Sequence, residues 1–189
     1  MNNSINYFSR VRDTISSINH DDVHTLVDLI LSTRNNHGII FTCGNGGSSA
    51  NASHFSGDLM KGLSFCNTPR FKSICLSDNI PGMLAVSNDM DYSKVFIEPL
   101  KNLSSSNDLI IGISGSGNSE NVIQAIQYGN EINATTISLT GFDGGKLKKL
   151  AKHSVHIPVN DMEIAEDIHM MTLHAVKQLL IDHISDSSP

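Results

Sequence analysis

Five short runs of apolar and β-branched residues stand out along the chain, and segments with helical patterns separate them. The runs cover residues 38–43, 71–77, 108–113, 134–139 and 154–158. Because each run is continuously apolar, both faces of the strand that it predicts would be buried, as in a parallel sheet covered by helices. The pattern therefore predicts a parallel sheet of five strands.

Amphipathic patterns predict helices before and between these strands, at residues 3–18, 21–35, 47–61, 92–103, 119–131 and 161–185. Helix and strand alternate from residue 38 onward, so we expect an α/β fold, a doubly wound α/β/α sandwich. The first 35 residues stand outside this alternation and predict an N-terminal helical hairpin. We expect a single domain over 1–189, with N-terminal helices at 1–35 and the α/β core at 38–185.

Two loops rich in glycine and serine follow predicted strands and lead into predicted helices, at residues 44–51 and 114–119. Glycine lets a backbone turn tightly and approach a ligand, and the N-terminus of the next helix favours an anion. Ligands in such folds bind at the carboxyl ends of the strands, where both loops and a third loop at 140–145 are expected. Two such loops suggest a bound phosphate.

The first loop differs from a dinucleotide-binding motif, because Ser49 stands where the third glycine would be. It favours a single phosphate or a sugar hydroxyl, and the alternative is a tight turn without a ligand. The second loop offers the hydroxyls of Ser114, Ser116 and Ser119, and Ser119 is placed to cap the next helix. It has no lysine of the P-loop kind, so a sugar monophosphate fits better than a nucleoside triphosphate. The alternative is a flexible turn.

Two helices carry candidate metal or acid–base groups. His54 and Asp58 are four residues apart and share one helix face, where they could bind a metal, act as a base with its partner, or form a surface ion pair. The last helix carries Glu166 and His174 among apolar residues. These two are eight residues apart, about 12 Å along a helix axis, so they would converge on one ion only if the helix is irregular or Glu166 reaches inward.

Composition narrows the possible functions. The net charge is −6, aromatic residues make up 5% and Trp is absent, which argues against nucleic-acid binding. No apolar run approaches the length of a membrane span and the N-terminus lacks a signal peptide, so we expect a cytoplasmic protein. The three cysteines, Cys43, Cys66 and Cys75, are widely spaced, and we interpret Cys43 and Cys75 as buried hydrophobic residues.

Five segments together resemble the sugar-isomerase (SIS) fold family, and within it the phosphoheptose isomerases: residues 43–55, 87–90, 112–126, 139–145 and 166–174. The resemblance implies a homotetramer that binds a phosphorylated sugar, and composition predicts no membrane or nucleic-acid partner. The resemblance implies that phosphate is held by Ser114, Ser116 and Ser119. It also implies that Asn45 and Ser48 contact the sugar phosphate and that Asn88 and Asp89 lie in a segment that approaches the substrate. It also implies one Zn²⁺ per subunit, bound by His54, Asp58, Glu166 and His174.

The sequence departs from the family at three positions. The family has glutamate where this chain has Asp58, glutamine where it has Glu166, and an arginine soon after the glutamate for which Lys61 is the candidate replacement. The shorter Asp58 side chain withdraws the carboxylate by about one methylene, and displacements near 1 Å affect catalysis. Glu166 adds a charge that would strengthen a divalent metal site.

The resemblance implies an aldose–ketose isomerase that converts D-sedoheptulose 7-phosphate to D-glycero-D-manno-heptose 7-phosphate, for the heptose of lipopolysaccharide or capsule. Asp58 would move a proton between C1 and C2, and His174 would act as acid and base on the oxygens. Two alternatives remain open: an isomerase of another sugar phosphate, and a non-catalytic SIS protein that binds the replication initiator.

Overall fold

The computed structural model describes residues 4–65 and 67–186. Its sheet has five strands: β1 Ile39–Cys43, β2 Lys72–Cys75, β3 Leu109–Ser114, β4 Thr135–Thr140 and β5 His153–His156. The strand order is β2-β1-β3-β4-β5, and every neighbouring pair is parallel. The prediction of a five-stranded parallel sheet is confirmed.

Eight α-helices are found among the described residues: α1 Ser4–Ile15, α2 His20–Asn35, α3 Gly46–Gly57, α4 Ile80–Asp89, α5 Ile97–Leu103, α6 Glu120–Glu131, α7 Gly145–Leu150 and α8 Met162–Asp186. A π-turn, Asp58–Leu63, continues α3, and a 3₁₀ turn, Tyr92–Lys94, precedes α5. Within the described ranges, none of these helices combines the length and the apolar character that a membrane crossing requires.

Two short helices, α4 and α7, were missed by the sequence pattern, and the predicted helix at 92–103 is divided into a 3₁₀ turn and α5. Pro81 and Gly82 near the start of α4 are typical of a turn in sequence, but proline is well tolerated in the first turn of a helix. Asn79 caps this helix, because its Oδ1 accepts a hydrogen bond from the backbone N–H of Gly82 at 3.2 Å.

Helices cover both faces of the sheet, and an apolar core lies between the sheet and the helices on each face. One core joins the sheet to α2, α3 and α8, and α1 packs against it. The other core joins the sheet to α5, α6 and α7. Cys43 and Cys75 are buried in these cores, as predicted, whereas Cys66 lies outside the described residues. The doubly wound sandwich is thus confirmed.

The strand order places the two glycine loops side by side. β1 and β3 are direct neighbours, with Cys43 paired to Gly112 near their carboxyl ends. In a sheet of order 2-1-3-4-5 the connections diverge to opposite faces at β1 and β3, and this opens the crevice in which ligands bind. The first loop follows β1 and the second follows β3, so both border that crevice.

Candidate active site

The second loop brings three serine hydroxyls to the start of α6. Ser114 is the last residue of β3, and its Oγ lies 3.1 Å from the Oγ of Ser119. The Oγ of Ser116 accepts a hydrogen bond from the backbone N–H of Asn118 at 3.2 Å. Ser119 is the N-cap residue, as predicted, but its hydroxyl makes no capping hydrogen bond. The hydroxyl bonds Ser114 instead and so does not occupy the N–H groups at the start of α6, where an anion is favoured.

The third loop supports the second loop. The N–H of Gly141 donates to the carbonyl of Gly115 at 2.8 Å, and the N–H of Leu147 donates to the carbonyl of Gly117 at 2.9 Å. Gly117 has φ +66°, and a Cβ there would lie within 2.1 Å of the Gly144 carbonyl oxygen, so only glycine fits. The third loop therefore holds the serine loop in shape.

The first loop is closed by a carboxylate of the protein itself. Ser48 is buried, and its backbone N–H donates to Oε1 of Glu166 at 3.2 Å. Gly47 makes room for that carboxylate, since a Cβ at this position would lie 2.1 Å from Glu166 Oε2. The N-terminus of α3 already has an anion beside it, and a second anion would be repelled. A neutral hydroxyl suits this loop better than a phosphate.

Three of the predicted sugar-contacting residues are also placed by the structure. Asn45 precedes α3, and its amide bonds Asn121 of α6 and the hydroxyl of Tyr92. Asn88 and Asp89 lie at the C-terminal end of α4, where both are exposed and Asn88 Nδ2 donates to Asp89 Oδ1 at 2.8 Å. Asn45 thus borders the crevice, and the other pair lies on the exposed end of a helix.

Helices α3 and α8 run parallel in contact, and this contact assembles a second group of functional side chains. Ser48 contacts Glu166, His54 contacts His174, and Asp58 contacts Lys177. Residue numbers rise in the same direction along both helices, so the helices are parallel. His54 lies on the last turn of α3 and Asp58 begins the π-turn that continues it, about 9 Å or more along the axis from Ser48. The cluster of His54, Asp58 and His174 is therefore separate from the first loop.

The ligand atoms of this cluster face one another. Nε2 of His54 lies 3.1 Å from Nε2 of His174 and 3.5 Å from Oδ2 of Asp58. All three side chains offer one atom within 4.8 Å of the others. Oδ2 of Asp58 is buried and has no hydrogen-bond partner among the described residues, which is costly for a carboxylate oxygen. A divalent cation between the three groups would satisfy that oxygen.

Glu166, the fourth predicted metal ligand, lies outside this cluster. It is eight residues before His174 on one continuous helix, so the two side chains are separated by about 12 Å of helical rise. Its carboxylate bonds the first loop instead. The two side chains do not converge, because α8 is a continuous helix here and the Glu166 side chain reaches the start of α3, away from His174.

Lys177 is a residue of this cluster that the sequence analysis missed. Its Nζ donates to Oδ1 of Asp58 at 2.6 Å. It lies three residues after His174, within one helical turn, and that spacing was the available signal. Lys61, the expected replacement for the family's arginine, is exposed.

The set of ligand types suits a transition metal. Two imidazoles and one carboxylate match the three protein ligands of many catalytic zinc sites, which leave a further position for water or substrate. His54 and His174 are both exposed and Asp58 is half-buried, so the cluster is open on one side. The geometry is thus able to hold a divalent cation and to present it to a ligand.

Comparison with known proteins identifies the class to which this fold and site belong. Residues 5–141 match the SIS domain family. The chain therefore belongs to that family.

Similarity over most of the chain narrows this class. A phosphoheptose isomerase from Helicobacter pylori is 35% identical over 166 residues, which cover 84% of this chain and 82% of that protein. A phosphoheptose isomerase from Aliarcobacter butzleri is 35% identical over 164 residues, which cover 83% of this chain and 82% of that protein. The structure of phosphoheptose isomerase GmhA from Neisseria gonorrhoeae aligns with TM-score 0.87 and 28% identity, covering 95% of this chain and 97% of that chain. Within the SIS domain proteins, the chain belongs with the phosphoheptose isomerases.

Proposed function

We propose that this protein is an aldose–ketose isomerase that converts D-sedoheptulose 7-phosphate to D-glycero-D-manno-heptose 7-phosphate. Family membership supports a sugar-phosphate isomerase, and the relatives' name supports a heptose as the substrate. One observation in this chain carries the chemistry: the buried, unpartnered Oδ2 of Asp58 faces two imidazole nitrogens. A base, a second acid–base group and a metal site then coincide at one place.

We propose Zn²⁺ as the cofactor, held by His54, Asp58 and His174. Nitrogen and carboxylate ligands of this kind suit zinc, although they accept other divalent ions as well. When bound, the cation would polarise the substrate carbonyl and so make the neighbouring C–H proton more acidic. Glu166 is not included in this ligand set, because its carboxylate bonds the first loop.

The acid–base steps are assigned to the side chains of the cluster. Asp58 removes a proton from one of the two carbons, C1 or C2, and returns it to the other through an enediol. His174 donates and accepts the proton that moves between the two substrate oxygens. Such transfers need groups within hydrogen-bond reach of the reacting atoms, and the open side of the cluster gives that access.

The phosphate is assigned to the serine loop, with Ser114, Ser116 and Ser119 as donors together with the first N–H groups of α6. The dipole of α6 favours an anion there. The first loop, already occupied by the carboxylate of Glu166, is assigned to the sugar hydroxyls through Asn45 and Ser48. Asn88 and Asp89 are assigned to substrate by family resemblance alone.

Conversion of sedoheptulose 7-phosphate, followed by NMR in D₂O, tests this function. Chelator-treated protein should be inactive, and added Zn²⁺ should restore formation of the aldose. Proton transfer through an enediol should incorporate deuterium at the carbon that receives the proton. The Asp58→Asn variant should lose conversion by about 100-fold or more, whereas Asp182→Asn, an exposed change on α8, should match the wild type.

The same assay distinguishes the alternatives. Conversion of a different ketose phosphate and not of sedoheptulose 7-phosphate would replace the proposed substrate. A folded protein that converts no sugar phosphate with any divalent metal would contradict the isomerase function and favour an interaction role. In the described structure no observation favours binding to a replication initiator.

We also propose that the protein assembles as the homotetramer that the resemblance implies. Large apolar side chains are exposed on two helices, with Ile5 74% and Phe8 67% exposed on α1, and Ile80 62% and Leu84 65% exposed on α4. Such exposure is typical of surfaces that are covered by association. Light scattering on purified protein should give four times the chain mass, and Phe8→Asp should reduce it.

A further inference from the structure

We propose that Lys177 is a positioning residue for the metal cluster. It binds one oxygen of the Asp58 carboxylate and thereby holds the other oxygen toward the two histidines. This inference rests on the proposed function, because it concerns the same carboxylate.

The two oxygens of Asp58 have different surroundings. Oδ1 accepts the hydrogen bond from Lys177 Nζ at 2.6 Å, while Oδ2 lies 3.5 Å from Nε2 of His54. The side chain of Asp58 is only 15% exposed and that of Lys177 only 25% exposed, so water does not replace this contact freely. Without the ammonium, the carboxylate plane would be free to turn about its terminal torsion angle, which is broad.

The backbone is arranged around this ion pair. Asp58 begins the π-turn at the end of α3, and such turns are frequent at functional sites. Gly62 lies in the same turn beneath the end of the lysine side chain. A Cβ on Gly62 would lie 3.2 Å from Lys177 Cε, 3.4 Å from its Nζ and 3.6 Å from Asp58 Oδ1. The absence of a side chain at position 62 therefore leaves room for the ion pair.

Hydrogen bonds of this kind have a known effect on metal sites. Residues that orient a metal-binding side chain contribute about 10- to 100-fold to metal affinity or activity. The ammonium also repels a cation, but the Asp58 carboxylate that it contacts at 2.6 Å offsets much of its charge. We therefore expect orientation of Asp58 to dominate over charge repulsion.

The inference is tested by measuring the Zn²⁺ affinity of chelator-treated protein in competition with a chromophoric chelator. The kcat and KM for sedoheptulose 7-phosphate are measured on the same variants. Lys177→Met should weaken Zn²⁺ binding about tenfold or more and lower kcat by a similar factor, with KM changed less than about twofold. Lys177→Arg, which keeps a charged donor, should restore both to within about threefold of the wild type. Lys101→Met is the matched control, because it removes a similar ion pair, 2.7 Å from Glu98, on α5.

The outcomes separate this inference from the proposed function. Lys177→Met binding Zn²⁺ as tightly as the wild type, or more tightly, would overturn the positioning role. The titration needs no substrate, so a wild type that binds Zn²⁺ at the cluster but converts no sugar refutes the isomerase function alone. Zinc binding that is absent, or that survives His174→Ala, overturns the metal cluster and the inference together.

Discussion

Asn45 and Asn121 bond each other reciprocally: each side-chain Nδ2 donates to the other's Oδ1 at 2.9 Å. Asn45 lies in the first glycine loop as the N-cap residue of α3, and Asn121 lies in the first turn of α6, directly after the serine loop. Asn121 is buried, and its Oδ1 also accepts from the backbone N–H of Val122. This amide pair is the link between the two loops that border the crevice.

Replacing Asn121 by Asp should therefore affect both stability and substrate binding. The carboxylate keeps the acceptor but loses the donor to Asn45, which should cost about 1–3 kcal/mol of unfolding free energy. Its negative charge beside the serine loop should raise KM for the phosphosugar. Asn130→Asp on the same helix is the control, because Asn130 also donates, to Leu150, but at the far end of α6. Asn130→Asp should lower the stability without raising KM. Equal KM values for Asn121→Asp and Asn130→Asp would contradict the role of the Asn45–Asn121 pair.

Gly62→Ala and Gly57→Ala should separate stability from metal binding. Both glycines lie in or beside the helical segment of α3, where alanine is favoured by up to about 1 kcal/mol. A Cβ at position 57 meets nothing within 4 Å, whereas one at 62 crowds the end of Lys177. Thermal denaturation should show that neither variant is appreciably less stable than the wild type. Only Gly62→Ala should weaken Zn²⁺ binding. A Gly57→Ala variant with the same loss would contradict this explanation.

Glu166→Ala should leave Zn²⁺ affinity unchanged, because Glu166 lies outside the cluster. Alanine removes every ligand atom at this position, whereas glutamine, the family's residue here, would keep one; it also removes the carboxylate that accepts from the N–H of Ser48. His174→Ala provides the contrast, since it removes a ligand and should abolish tight binding. A large loss of zinc affinity in Glu166→Ala would restore Glu166 to the ligand set.

His169 should make the protein less stable as the pH falls. Burial lowers the pKa of His169 to about 4, and neither ring nitrogen has a hydrogen-bond partner among the described residues. The unfolded chain binds this proton near pH 6.5, so stability is complete above that pH and is lost as the pH falls toward 4. Through His169, lowering the pH from 7.5 to 5 should reduce the free energy of unfolding by about 2 kcal/mol.

Denaturant unfolding at both pH values checks this expectation, with His169→Phe for comparison. Because the substitution also changes packing, the measured quantity is the change in unfolding free energy between the two pH values and not the absolute stability. That change should be smaller in the variant by about the stated amount. An identical pH dependence would mean that His169 titrates normally.

Most of the fold could be predicted because its strands are continuous apolar runs and its longest helices have clear periodicity. The strand order could not, since the apolar residues of one strand do not show which other strand lies beside it, and α4 was hidden by the proline and glycine at its start. For the site, His54 and Asp58 were found because four-residue spacing is local. The contact of Lys177 with Asp58 and the position of Glu166 outside the cluster depend on how α8 packs against α3. No pattern within one helix shows how two helices are aligned with each other.

The parallel contact of α3 with α8 limits how this protein can change. Glu166, His174 and Lys177 lie on one unbroken helix, each opposite a partner on α3. Inserting or deleting one residue between Glu166 and Lys177 would turn every later side chain by about 100° around the axis, away from its partner. The spacing between the first loop and the cluster is thus fixed in length, whereas a change of length in the loops that follow β2 and β3 would leave the alignment of α3 with α8 intact.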